Sequence, residues 1–358
     1  MIKRIIRISC LILLSLNLFA QAPKYSNEFL SIGIGARALG MSNSNIAIVD
    51  DVTSGYWNPS GLNHIKSNIQ IGLMHSEYFA GIAKYDYAAI ASRIDENSVA
   101  GISFIRFGVD DIPNTTELID AEGNIDYSRI TTFSAADYAV LFSYAKTFSN
   151  KKLRTGANVK IVHRQVGDFG KAWGFGIDVG AQYDLNKWTF GVMGRDITST
   201  FNAWSFNLSD RMKEVFTLTG NEIPKSSLEI TLPKLILSSS RKFNLSENFS
   251  ILADIDVDIT FDGKRNVLIK SNPVSADPHI GAELSFKNFI FLRGGFGNIQ
   301  NETDIVGKKI KTFQPNIGIG INIKDYFSVD YALTDIGDKS IALYSNVFSL
   351  KFSINKKG

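Results

Sequence analysis

Strict alternation of apolar and polar residues over long runs leaves this chain few folds to choose from. Between Trp173 and Leu185, every second position is apolar (Trp173, Phe175, Ile177, Val179, Ala181, Tyr183, Leu185), and Gly174, Gly176, Asp178, Gly180, Gln182 and Asp184 lie between them. The run from Phe249 to Phe261 repeats the pattern with Asp254, Asp256 and Asp258 on its polar face, and Ile317, Ile319, Ile321 and Ile323 alternate with Asn316, Gly318, Gly320 and Asn322. Successive strand side chains point to opposite faces, so each run is a strand with one apolar face; a helix would need spacings of three and four. Strands of soluble sandwiches average about five or six residues, whereas about 9 to 11 residues cross a hydrocarbon layer at a tilt. The length of these runs therefore turns their apolar faces toward lipid.

Fourteen such segments are predicted: 67–78, 83–95, 97–108, 135–147, 153–166, 171–185, 187–199, 233–243, 248–262, 277–287, 289–299, 313–324, 326–336 and 345–355. Connections after even-numbered segments are short (Glu96, 148–152, Asn186, 244–247, Asn288, Asp325), and those after odd ones include the long stretches 109–134, 200–232, 263–276, 300–312 and 337–344. Short periplasmic turns alternating with longer outer loops, on an even strand count, are the pattern of an outer-membrane barrel. The connections at 79–82 and 167–170 are short although they fall on the outer side. The fold class expected is all-β, a 14-stranded antiparallel transmembrane β-barrel. In the last strand, Phe348, Leu350, Phe352 and Ile354 face lipid.

Polar strand faces then line the lumen and carry Arg154, Lys160, Arg164, Asp178, Asp184, Asp254, Asp256, Asp258 and Asp330. These charges either neutralise one another and stiffen the wall, or line a conduit or hold a plug. Gly174, Gly176, Gly180, Gly318 and Gly320 on the same faces leave room for an inserted segment, and glycine also permits sheet curvature.

The chain opens with Lys3, Arg4 and Arg7, an uncharged apolar run from Ile8 to Ala20, and Ala20-Gln21-Ala22. That is the three-part pattern of a secretory signal peptide, assigned to 1–20; the apolar run is too short for a spanning helix. Of 38 Lys and Arg, those three lie in the signal, leaving 35 against 35 Asp and Glu. A neutral chain lacks the basic footprint of a nucleic-acid binder. Cys10, the single cysteine, also lies in the signal, so no disulfide framework or cysteine-based metal site is expected in the exported chain. His64, His75, His163 and His279 show no metal-ligand spacing, and neither a nucleophile elbow nor a phosphate loop is present. No enzymatic activity and no cofactor are expected.

Residues 21–66 do not alternate, and the barrel is assigned to 67–358. Within 21–66 stand Gly35-Ala36-Arg37-Ala38-Leu39-Gly40-Met41, then Asp50-Asp51, then Tyr56-Trp57-Asn58-Pro59-Ser60-Gly61-Leu62. Here the sequence resembles the PorV/PorQ family of Bacteroidetes outer-membrane proteins, relatives of the FadL fatty-acid channel. Members of that family open with G-A-R-A-x-G-M, an Asp-Asp pair and an aromatic-N-P-A-G-L stretch; Ser60 replaces the usual Ala, and Ser42-Asn43-Ser44 replaces glycines and alanine. The resemblance extends to Asp111-Ile112-Pro113-Asn114-Thr115 and Thr219-Gly220-Asn221-Glu222-Ile223-Pro224. It implies an N-terminal hatch in the lumen, built on Gly35, Arg37, Gly40, Met41, Asp50, Asp51, Trp57, Asn58, Pro59 and Gly61. From the residues alone, Asn58-Pro59-Ser60-Gly61 is an ordinary turn and the Asp pair caps a helix or meets lumenal cations, the alternative being direct contact of these motifs with a ligand.

The function implied is that of an accessory, cargo-shuttle barrel of type IX protein secretion and gliding, in the outer membrane of a Gram-negative bacterium. Its partners would be membrane lipid and secreted cargo or components of the translocon and attachment machinery. Loops 109–134 and 200–232 are the expected partner surfaces, the second through Phe201, Trp204, Phe206, Met212, Val215 and Phe216; that apolar cluster could equally form a lid on its own barrel. The alternative is a FadL-like channel for hydrophobic small molecules.

Overall fold

The computed structural model describes residues 26–120, 123–148, 152–303, 307–324, 326–336 and 344–355. The expected signal at 1–20 and the turn at Asp325 lie outside the described residues, as do most of 148–152 and 337–344. Seventeen strands are described: β1 (Ile69–Tyr78), β2 (Ala83–Arg93), β3 (Ser98–Asn114), β4 (Thr131–Thr147), β5 (Leu153–Val166), β6 (Gly170–Leu185), β7 (Trp188–Arg195), β8 (Thr200–Phe206), β9 (Ser227–Thr231), β10 (Lys234–Asn244), β11 (Phe249–Thr260), β12 (Ile269–Lys270), β13 (Ser275–Phe286), β14 (Ile290–Thr303), β15 (Lys309–Ile323), β16 (Phe327–Thr334) and β17 (Ser345–Ile354). Fourteen form an antiparallel barrel, and β8, β9 and β12 belong to its long-loop end. The barrel closes where β17 pairs with β1, from Ile69 opposite Ile354 to Glu77 opposite Asn346.

The burial pattern is inverted relative to a soluble protein. Ile161, Val179, Leu237, Ile255, Ile280 and Ile317 point outward and are exposed, while Lys160, Asp178, Asp254 and Asp256 are buried inside. Apolar faces outward and charge inward suit a wall surrounded by hydrocarbon. No helix among the described residues is long and apolar enough to cross a membrane.

The alternation located the strands but not their outer ends. β3 runs on to Asn114 and β4 begins at Thr131, because a bulge between Val109 and Ile112, with Asp111 at φ 57°, shifts the phase of the alternation. Asn298, at φ 51°, marks the equivalent bulge that carries β14 to Thr303. The segment expected at 187–199 stops at Arg195, since Asp196 and Ser199 take left-handed backbone; the wall then resumes as β8, which pairs with the upper part of β6. β9 likewise prolongs β10 beyond Leu232-Pro233, where proline has no N–H to give a ladder. Loop 200–232 is thus largely an upward extension of the wall, tipped by the helix Asp210–Leu218.

Phe348 and Phe352 on β17 face outward, and Phe352 packs on Phe327 of β16 with centroids 4.8 Å apart. Phe352→Asp places a charge on the lipid face beside the closing seam and is expected to destabilise the barrel by about 2 kcal/mol. Its level in purified outer membranes should fall; an unchanged level would refute the orientation of β17.

Candidate functional site

Residues 26–66 fill the barrel from the long-loop end to the short-turn end. At the upper end the Thr231 hydroxyl donates to Ser26 Oγ at 2.7 Å. At the lower end His64 Nε2 lies 3.2 Å from Gln182 Oε1, and the Arg93 guanidinium donates to the Ile65 carbonyl just before β1 starts. The segment has only short helical turns, Glu28–Leu30, Ala36–Leu39, Ser54–Trp57 and Pro59–His64. Its stability therefore comes from packing and tethering to the wall.

Asn58 shows how the sequence achieves this. It ends one helical turn and caps the next, its Oδ1 accepting from the Ser60 N–H at 3.3 Å and the Ser60 hydroxyl at 2.7 Å, with Pro59 in the first turn where a missing N–H costs nothing. Its Nδ2 donates to the carbonyls of Ile46, Ala181 and Val192 at 3.1, 3.2 and 3.4 Å, two of which belong to the wall. The turn is therefore also a tether. Trp57 donates its indole N–H to the Ile34 carbonyl at 2.9 Å, and Gly61 passes so close to Val49 that a Cβ would lie 2.4 Å from its carbonyl oxygen.

Wall glycines make room for this segment, but not all of those expected. A Cβ on Gly180 would lie 2.1 Å from Asn58 Oδ1, one on Gly295 2.2 Å from the Met41 carbonyl carbon, and one on Gly156 2.5 Å from that of Pro59. Gly318 faces Gly40. Gly174 and Gly176 instead accommodate Asn202 and Thr200 of β8, and Gly320 accommodates the side chains of Asp330 and Arg293.

The motif charges bind wall partners. Arg37 donates through Nη1 to Asp50 at 2.7 Å and through Nε and Nη2 to both oxygens of Glu283 at 3.0 and 3.2 Å. Glu283 also accepts from Arg293 Nε at 2.7 Å, and Arg293 reaches Asp330 at 2.6 Å. Asp51 accepts from Lys351 at 3.0 Å and from the Thr53 N–H at 2.9 Å. Above them Arg195 donates to the carbonyls of Leu30 and Tyr56 and lies 4.5 Å from the Tyr56 ring. Glu283, Arg293, Lys351 and Arg195 were missed in the sequence. Their only signal was a charge on the polar face of an alternating run, and partners came from distant strands.

Among the expected lumen charges, Lys160 contacts Asp178 at 2.9 Å, Arg154 contacts Asp184 at 2.8 Å, Arg164 contacts Asp137 at 2.8 Å, and Lys234 contacts Asp258 at 3.1 Å. Asp254 and Asp256 depart from this pairing. Asp256 Oδ2 accepts the N–H groups of Asn45 and Ile46 at 2.9 and 3.1 Å, and Asp254 accepts from the Ser238 hydroxyl at 3.0 Å, which itself accepts from the Ala47 N–H. Both carboxylates thus serve the inserted segment, through backbone that no side-chain pattern reveals.

A family profile described as "Type IX secretion system protein PorV" matches residues 22–222, which cover the inserted segment and the wall through β8. The chain belongs to the PorV family. Comparison with curated protein sequences finds no match. Among solved structures, the PorV-family chain is similar to the CymD monoaromatic hydrocarbon channel (TM-score 0.55, 13% identity, 90% of this chain and 98% of that one). It is also similar to the Ralstonia pickettii toluene transporter TbuX (0.53, 14%, 90% and 99%) and the Pseudomonas putida toluene transporter TodX (0.55, 14%, 91% and 99%). At these identities the likeness concerns the fold. The barrel is thus that of a type IX secretion protein of the outer membrane, drawn on a FadL-like frame.

In this PorV-family barrel the aromatics of loop 200–232 do not form one patch. The period of two persists in β8, so Phe201 points outward while Trp204 and Phe206 point inward and stack at 5.6 Å. Trp204 donates to Glu229 at 2.7 Å beneath Arg164. Phe216 is half-buried and Met212 buried on the tip helix, whose Arg211 donates to the Ile119 carbonyl of loop 109–134 at 2.6 Å. The two loops therefore meet.

The plug is bordered by open space. A cavity of about 630 Å³ below it is lined by Arg37, Asp50, His64, Lys66 and Lys242, and one of about 580 Å³ above it by the charged Arg195, Asp258 and Arg265 and the apolar Ile32, Trp57 and Phe107. Among the described residues no cluster of His, Cys, Asp and Glu is arranged to hold a metal ion.

Two plug groups titrate abnormally on the acid side of neutrality. Burial, and then Arg154, lower the His64 pKa. Burial alone would raise Asp51, but Lys351, the Thr53 hydrogen bond and Arg37 outweigh it and hold the carboxyl well below its usual range. For both, the packed state binds protons less readily than the released one, so each contribution is full at high pH and is lost as pH falls, from about 6.5 for His64 and about 4 for Asp51. Hydrogen exchange in residues 26–66, corrected for intrinsic rates, should be flat from about pH 8 to 7 and rise in two steps below these values. Asp51→Asn should shrink the lower step; an unchanged step would refute the assignment.

Proposed function

We propose that the chain is an accessory barrel of type IX secretion that receives exported cargo at the outer membrane and passes it to the surface attachment machinery. The observation that carries this reading is the family match over residues 22–222. Two features support it. The segment 26–66 fills the lumen and is bonded to wall residues at both ends, which suits a barrel that works by its surfaces. Loops 109–134 and 200–232 touch and raise the wall on the outer side, where Phe201, Trp204, Phe206 and Phe216 belong to the proposed cargo surface. The chain would reach this place by a signal peptide removed after Ala20, and 21–66 would remain as a hatch.

The experiment is deletion of the gene, with secreted proteins followed by mass spectrometry in periplasm and medium. Retention of type IX cargo in the periplasm, relieved by the full chain, is expected; unchanged secretion would overturn the reading. A second reading, a channel for hydrophobic molecules, draws on the CymD and TodX likeness. The charged cavity below the plug disfavours it. Loss of growth on a hydrophobic carbon source with normal secretion would favour it.

A further inference from the structure

At one height the outer wall breaks its own rule. About seven residues above the short-turn ends, outward positions carry Ile161, Val179, Leu237, Ile255, Ile280 and Ile317 on β5, β6, β10, β11, β13 and β15. On the three neighbouring strands β1, β2 and β3 the corresponding positions hold His75, Asp86 and Arg106, aligned directly across the sheet. Seven residues of a tilted strand rise roughly 17 Å, inside an apolar band about 25 Å tall.

These groups face outward. The side chains of His75 and Asp86 are 50% and 39% exposed, with His75 Nδ1 2.7 Å from Asp86. Arg106 lies 3.7 Å from Asp86 and 3.3 Å from Asp110, and Lys84 3.7 Å from Asp110. Glu77 has only the His75 ring, at 3.9 Å, among its ion-pair contacts. Hydrocarbon chains cannot solvate such a cluster. Nor does it match anionic lipid headgroups, because three carboxylates face two fixed cations. On the next strands the same row climbs to Tyr138, His163 and Trp173, with His163 and Trp173 4.2 Å apart, the amphipathic side chains of an interface. His75, Asp86 and Arg106 lie lower than these.

We propose that the outward face of β1–β3 around His75, Asp86 and Arg106 is an intramembrane docking surface for the wall of a second membrane-embedded protein that presents basic side chains to it. A protein wall supplies fixed polar partners within the apolar band, and the net negative balance of the patch selects a basic one. This rests on the reading that the chain works within an outer-membrane assembly, and adds the side from which that assembly is joined.

The test places a photo-cross-linking residue at Ala88, two positions below Asp86 on the same face, and separately at Ile280 on the far wall, in the full chain in its native outer membrane. A discrete protein adduct is expected from Ala88 and not from Ile280. Asp86→Asn and Glu77→Gln, each combined with the Ala88 probe, should lower its yield roughly tenfold, as expected for loss of a close interfacial charge pair. Heat-modifiable mobility should report a folded barrel in both. Adducts with lipid alone, equal adducts from both walls, or yields indifferent to both substitutions would overturn the proposal. Secretion is scored separately: if cargo export needs the chain but Ala88 meets only lipid, the docking surface falls and the function stands. If export is indifferent to the chain while the charge-dependent adduct forms, the reverse holds.

Discussion

Arg37→Ala will release the plug without unfolding the barrel. The guanidinium joins Asp50 of the inserted segment to Glu283 of β13, and removing it leaves Glu283, 7% exposed, with Arg293 as its remaining ion-pair partner and Asp50 with none of this kind. Because Glu283 keeps Arg293 and Asp50 is half exposed, the loss is that of charged hydrogen bonds rather than of a lone buried charge, about 2 kcal/mol, so the ratio of seated to released plug should fall by about 30-fold. The measurement is proteolysis of residues 26–66 in detergent, read beside ion conductance in planar bilayers. Faster cleavage and new conductance are expected while the heat-modifiable band persists. Arg37→Lys should fall between, because an ammonium cannot hold Asp50 and both Glu283 oxygens in one plane. Wild-type protection in Arg37→Ala would show that the plug is held elsewhere.

Gly295→Leu will expel the plug at a different point, and its neighbour supplies the control. A Cβ on Gly295 would lie 2.2 Å from the Met41 carbonyl carbon, so backbone must move, whereas Gly294, one residue earlier and facing lipid, has nothing within 4 Å. Leucine at 294 should leave assembly and plug protection unchanged. Leucine at 295 should lose the protection of residues 36–48 by hydrogen exchange, with cost on the order of the largest overpacking effects, about 3 kcal/mol or more. Equal behaviour of the two variants would contradict the seating of Met41 against β14.

The wall could be read in the sequence because a period of two, once one face meets lipid, allows no other register; a slip of one residue would turn Asp178 or Asp256 outward. Strand ends were harder, since bulges at Asp111 and Asn298 reset the phase where no lipid enforces it. The inserted segment lies at the opposite extreme. Its motifs marked which residues matter through a family resemblance, yet nothing local said that Asn58 reaches the carbonyls of Ala181 and Val192, or that Arg37 meets Glu283 across more than 200 positions. Asp256 was legible as a lumen charge but not as an acceptor of the Asn45 and Ile46 N–H groups, because main-chain donors leave no trace in side-chain pattern. The aromatics of loop 200–232 looked like one patch only while that stretch was taken for a loop. As strand, it divides them between two faces.

The plug enters beside Thr231 at the top and leaves at Arg93 at the bottom, directly ahead of the strand that meets β17 to close the ring. This connectivity sets an order of events during biogenesis. Residues 26–66 must already lie within the incomplete cylinder when its first and last strands zip together, or else be drawn the full height of a finished pore with Arg37 and Asp51 still lacking their wall partners Glu283 and Lys351. The first route keeps those charges beside their partners as they become dry. It makes the leading segment a template around which the sheet curls, so that variants failing to seat it should accumulate as open, unsealed intermediates at the insertion machinery.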